Sequence, residues 1–260
     1  MESRAAGETG ASMLAAWAVL AGLFAFQAVP PDASPPPAVP SAAPAAASPA
    51  PAATGLLVVG VGDSITYGTG TSHPPATSFL GRAAGLAYAS YVDLGIPAAM
   101  TGYIATEVPS IPLAADVVVI YTGTNDVSVA ADNQVDIATA IRQTKYFEPT
   151  FDALVAAVRQ RVPAARLVVV TVRDFGRVER EAGLPRDRFI SESRTAATHE
   201  WDAHQRLVAR ANGAALVDLE YDRQWYVAGE YGGAPGDVHP NDAGAERLAR
   251  AVAPLLVRRR

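Results

Sequence analysis

Bulky apolar residues concentrate in five short runs, three of them rich in valine: Leu56–Val61, Tyr88–Leu94, Val117–Tyr121, Leu167–Val172 and Ala215–Leu219. Little polar alternation interrupts them, which is the pattern of strands buried on both faces rather than on one. Longer mixed segments separate the runs, and several carry helix signals. Ser78–Leu86 is a short one. Pro149–Arg161 has Pro149 in its first turn and Pro163 just beyond its end, where proline starts and stops helices. Thr195–Ala211 puts Leu207 and Val208 on its apolar side and ends at Asn212-Gly213, a C-terminal stop signal. Asp242–Val257 follows Asn241, a good N-cap. Strands alternating with helices predict a parallel sheet of about five strands covered on both faces, a three-layer α/β/α domain.

Two segments break the alternation. Asp174–Ser193 is charged, contains Gly176, Gly183 and Pro185, and reads as an inserted loop. Tyr221–Pro235 carries Trp225, Tyr226, Tyr231 and Gly232-Gly233, aromatics that either line a cleft or pack the loop down. The N-terminal region differs from both. Met13–Val29 is apolar except Gln27 and carries no charge; its length lies between a signal-peptide core and the roughly 20 residues of a membrane span. Residues 1–29 therefore read as a signal peptide or an N-terminal membrane anchor, and both stay open. Residues 30–54 are almost wholly Pro, Ala and Ser, with too little bulky apolar surface to build a core. They read as an extended, disordered spacer. The folded domain is then 55–260, and the expected location is extracellular or at the cell surface, with the N-terminal segment membrane-associated if it is retained.

Composition narrows the chemistry. The chain has no cysteine, which rules out disulfides and thiolate metal sites. A net charge of −5 argues against a nucleic-acid partner, for which a basic face is needed. Gly60-Val61-Gly62 is not a phosphate loop: the third glycine of a dinucleotide fingerprint would fall at Ile65, and no Gly-Lys-Ser/Thr follows. His199 and His204 are five apart, not at the i, i+4 spacing that would aim two ligands at one metal.

What remains lies in the loops that follow the strands. Gly62-Asp63-Ser64 leaves the first, Gly95-Ile96-Pro97-Ala98-Ala99 the second, and Gly123-Thr124-Asn125-Asp126 the third; Asp237-Val238-His239-Pro240-Asn241 precedes the last helix. Parallel strands bring their carboxyl-end loops to one edge, where open α/β sheets place reacting groups. Together the loops hold a nucleophile, a base, an acid and an amide donor. Asp63 and Asp126 suit a different task, tying loop backbone through short side-chain hydrogen bonds.

The blocks Gly62-Asp63-Ser64, Gly123-Thr124-Asn125-Asp126 and Asp237-Val238-His239-Pro240-Asn241, in this order, resemble the SGNH/GDSL hydrolases (GDSL-like lipase/acylhydrolases) over residues 55–257. The resemblance implies a flavodoxin-like α/β/α fold and a serine esterase. Ser64 matches the nucleophile, His239 the general base, and Asn125 an oxyanion-hole donor beside the Ser64 N–H. Two positions depart from the family. Its second block reads Asn-x-x-x-x-Gly, where this chain has Asp93 and Ala98. Alanine keeps the N–H, so Ala98 is the implied donor, with Gly95 as the fallback. The family's acid stands three residues before the histidine, but that position is Gly236. Asp237, two before, is the implied orienting acid, with a backbone carbonyl as the alternative. No metal or cofactor is implied. The expected substrate is a small-molecule or glycan ester with a short acyl group, as in deacetylation. A lysophospholipase or thioesterase, or a non-catalytic surface binding module, is the alternative.

Overall fold

The structure, a computed structural model, describes residues 55–132, 136–181, 188–220, 228–230 and 239–257. Five strands form one sheet: β1 (Leu57–Gly62), β2 (Ser90–Gly95), β3 (Val117–Tyr121), β4 (Arg166–Val170) and β5 (Ala215–Val217). All pairings are parallel and the order is β2-β1-β3-β4-β5. The helices are α1 (Ser64–Tyr67), α2 (Phe79–Leu86), α3 (Thr101–Ile104), α4 (Thr124–Asp132), α5 (Ile137–Arg161), α6 (Phe175–Glu181), α7 (Arg188–Ala211) and α8 (Asp242–Leu256). α2 packs on α8, while α4, α5 and α7 pack on one another, with α3 against α5 and α6 against α7. The crossovers place these two groups on opposite faces of the sheet, the three-layer arrangement expected of the pattern.

Burial follows the valine runs. β3 and residues 58–62 of β1 are buried throughout, whereas β2, an edge strand, is only half-buried. One helical layer contributes Phe79 and Leu80; the other contributes Phe151, Leu154 and Trp201. Phe79 meets Tyr121 at 5.9 Å between ring centres, and Phe151 meets Trp201 at 6.0 Å. Asn241 caps α8 as expected, accepting from Ala243 N and Gly244 N, while Ser78, read as the first residue of its helix, caps α2 by accepting from Gly81 N.

Two expectations need correction. α5 does not begin at Pro149 but at Ile137, capped by Asp136, with Pro149 inside the helix. Residues 174–193 are not simply a loop, since α6 and the start of α7 occupy much of that stretch. Gly176, read there as a breaker, is a packing glycine: a Cβ would lie 2.0 Å from Ser191 O. Among the described residues no helix is long and apolar enough to cross a membrane; Met13–Val29 lies outside them.

Candidate active site

The connections out of β1 and β3 run in opposite directions, so the crevice between these neighbours opens at the carboxyl edge. Ser64 stands on the β1 side of that crevice and Asn125 on the β3 side. The β1 turn is built from short-range bonds. Asp63 caps α1 by accepting from Ile65 N at 3.0 Å, which sets Ser64 as the first helical residue. Asp63 N donates to Tyr121 O at 3.3 Å, and Thr66 Oγ1 donates to the same carbonyl at 3.2 Å. Gly62 is required by space, because a Cβ would lie 2.0 Å from Tyr121 O. Burial pushes the Asp63 carboxyl up to about 7; the Ile65 N–H and Thr124 oppose the rise, and the Asp126 charge adds to it.

His239 reaches this turn from the loop before α8. Its Nε2 lies 2.9 Å from Ser64 Oγ, and Ser64 is only 5% exposed. The approach depends on Gly70, whose φ is +93°. A Cβ there would sit 2.8 Å from Pro240 O and 2.9 Å from His239 Cβ. Arg82 braces the same junction. Its Nε donates to Thr77 O at 2.9 Å, and its guanidinium pairs with Asp242 at 2.9 Å and Glu246 at 3.5 Å. The role of Arg82 has no local signal in the sequence. Asp237, expected to orient His239, and the aromatics of Tyr221–Pro235 lie outside the described residues.

On the other side, Gly123 adopts φ +117° with Trp201 packed against it, a Cβ falling 2.0 Å from Trp201 Nε1. Trp201 Nε1 and Gln205 Nε2 donate to Thr122 O at 3.3 and 3.1 Å, so α7 holds the backbone just before Asn125. Asn125 Nδ2 donates one hydrogen to Ala99 O at 2.8 Å, and an amide nitrogen carries a second.

Ala98 has φ +61°, the left-handed region where a Cβ costs about 1–2 kcal/mol. It therefore takes the glycine-like conformation that the departure from Asn-x-x-x-x-Gly put in question. Its N–H makes no hydrogen bond among the described residues, and neither does that of Ser64. Gly95, the fallback donor, is committed elsewhere: it ends β2 and donates to Asp93 Oδ1 at 2.7 Å. Burial pushes the Asp93 carboxyl up to about 6, with that Gly95 bond opposing the rise. The histidines of α7 face separate partners. His199 Nε2 lies 3.3 Å from Glu220 Oε1, whereas His204 Nε2 lies 3.2 Å from Asp152 Oδ1.

The arrangement thus brings an imidazole onto a serine hydroxyl, with N–H donors available on the turns around it. Chemically that suits proton removal from the hydroxyl and stabilisation of a nearby oxyanion. Comparison with known proteins agrees on the class. A search of curated proteins finds no match. Residues 61–247 match the family model "GDSL-like Lipase/Acylhydrolase family". Among solved structures, an extracellular lipase from Streptomyces rimosus is similar at TM-score 0.57 and 19% identity, covering 77% of this chain and 98% of that one. The lipase/acylhydrolase from Enterococcus faecalis gives 0.54 and 20%, covering 77% and 95%. An alpha/beta hydrolase enzyme from the metagenome of Lake Arreo gives 0.56 and 23%, covering 79% and 96%. At these identities the structural likeness speaks for the fold; the family model speaks for the family. The chain belongs to the GDSL-like lipase/acylhydrolases, ester-hydrolysing enzymes of the SGNH α/β/α fold.

Proposed function

We propose that this protein is a serine esterase in which Ser64 is the nucleophile and His239 the general base. The observation that carries the reading is the 2.9 Å contact of His239 Nε2 with Ser64 Oγ. A serine hydroxyl attacks poorly until a base takes its proton, and imidazole accepts and returns protons near neutral pH. As Oγ bonds to the ester carbonyl carbon, Nε2 takes the hydroxyl proton and the carbonyl electrons move to oxygen. The Ser64 N–H, the Ala98 N–H and Asn125 Nδ2 donate to that oxyanion, each worth on the order of 3 kcal/mol. Collapse expels the alcohol, which leaves with the proton from His239. Water, deprotonated by the same imidazole, then cleaves the acyl-Ser64 ester and releases the acid. Asp237 orients the imidazole in this reading, with a backbone carbonyl as its rival. No step calls for a metal or cofactor.

The substrate we infer is a short-acyl ester, an acetylated glycan being the favoured case. The sequence offers no long apolar lid between its elements for covering a lipid chain. The apolar Met13–Val29 run followed by a Pro/Ala/Ser spacer supports export and action on an extracellular polymer. Residues 55–260 assayed on acetylated glycans, p-nitrophenyl esters of increasing chain length, lysophospholipids and acyl thioesters test both parts. Acetate release that falls at least ~1,000-fold in Ser64→Ala is the expected outcome. Wild-type rates in Ser64→Ala sink the nucleophile, and a preference for long chains sinks the short-acyl assignment. Silence on every ester would leave a binding module.

A further inference from the structure

We propose that Asp126 is a positioning residue that, through Thr101, sets the Ala98 N–H against the Asn125 amide. The inference rests on the reading of those two groups as oxyanion donors. Asp126 is 1% exposed, in the first turn of α4 and next to Asn125. Its Oδ2 accepts from Thr101 N at 3.0 Å and from Thr101 Oγ1 at 2.9 Å. Thr101 begins α3, three residues after Ala98. Its hydroxyl hydrogen is given to Asp126, so Thr122 Oγ1, 2.9 Å away, donates to Thr101 Oγ1. Meanwhile Asn125 Nδ2 donates to Ala99 O.

Consecutive residues of α4 thus grip the second-strand loop at two points, 99 and 101, just beyond Ala98. The double grip has a physical purpose. Ala98 occupies left-handed backbone without being glycine, and such a conformation persists only when its surroundings over-determine it. Left to itself, the segment relaxes and its N–H swings away from the position the Asn125 amide addresses. An oxyanion hole works because its donors are already aimed before charge develops. Asp126 supplies the aim while touching no reacting atom. Burial raises the Asp126 carboxyl above its ordinary range, the Thr101 bonds opposing the rise.

The test is kinetic, with a second readout that needs no turnover. Asp126→Ala removes both bonds, Thr101→Val removes the hydroxyl bond, and Thr101→Ser restores it. Expected are a kcat loss of about 30-fold for Asp126→Ala and about fivefold for Thr101→Val, with KM within about threefold. Thr101→Ser should recover most of the loss. The double variant Asp126→Ala/Thr101→Val should be no slower than Asp126→Ala, because both break one link. A folded Asp126→Ala with kcat within about threefold of wild type overturns the proposal. If Asp126→Ala does not fold, equal kcat in Thr101→Val and Thr101→Ser overturns it. In parallel, 15N NMR follows the Ala98 backbone amide and the Asn125 side-chain amide. Both should shift in Thr101→Val and return in Thr101→Ser; unchanged signals overturn the proposal even in an inactive protein. Ester hydrolysis that survives Ser64→Ala would defeat the esterase reading and leave this readout standing.

Discussion

The turns leaving β1 and β2 lie side by side at the carboxyl edge, yet they are built in opposite ways. The β1 turn solves its geometry mainly with its own residues. Gly62 makes room for Tyr121 O, Asp63 caps α1, and Gly68 ends that helix in left-handed backbone. The β2 turn puts Ala98 into left-handed backbone and holds it through bonds to α4, some 25 residues along the chain. One turn is specified by what occupies it, the other by what grips it. The difference teaches that a turn can be held by either route, while only the first leaves a local mark in the sequence.

Opposite exchanges at the two turns, glycine to alanine at position 62 and alanine to glycine at position 98, should act in opposite directions. Gly62→Ala forces a Cβ to within 2.0 Å of backbone and 2.2 Å of Thr66 Oγ1, so a loss of about 3 kcal/mol or more in denaturant unfolding is expected. A loss under about 1 kcal/mol would mean that the turn is not set by its own space. Asp63→Asn comes next. The folded state holds the Asp63 proton up to about 7, against about 3.8 in the unfolded chain. Between those values the native protein binds more protons, so wild-type stability falls as pH rises from about 4 to about 7. The amide that replaces the carboxyl in this variant does not titrate. The variant should therefore gain on wild type between about pH 4.5 and 8 by on the order of 2–3 kcal/mol. A pH-independent difference would remove the buried carboxyl from the account. Smallest is Ala98→Gly, which relieves the left-handed strain and should raise stability by up to about 1 kcal/mol, seen as a small rise in Tm. A fall would indicate that the Ala98 methyl packs usefully where it stands.

Legibility followed the same division. The valine runs mark β1, β3 and β4, because a doubly buried parallel strand has to be apolar at consecutive positions; β2 and β5, only partly buried, stand out as shorter mixed runs. Asn241 is readable as a cap because capping is a local hydrogen bond. Ser64, Asn125 and His239 could be singled out because strand ends are where such residues converge, and the family blocks named them. What escaped notice depends on distant partners. Pro149 sits inside α5 because that helix is capped at Asp136 and packs on α7, and Gly176 serves a close contact rather than a break. Thr101 and Arg82 have no neighbour in sequence that marks them. Their partners, Asp126 and Asp242, come from other elements.

The central claim is the activated serine, and covalent labelling tests it most directly. Residues 55–260 treated with a fluorophosphonate should take up one equivalent, which peptide mass spectrometry locates on Ser64. Labelling should vanish in Ser64→Ala and slow by orders of magnitude in His239→Ala. Labelling on another residue, or of Ser64→Ala at the wild-type rate, would contradict the account.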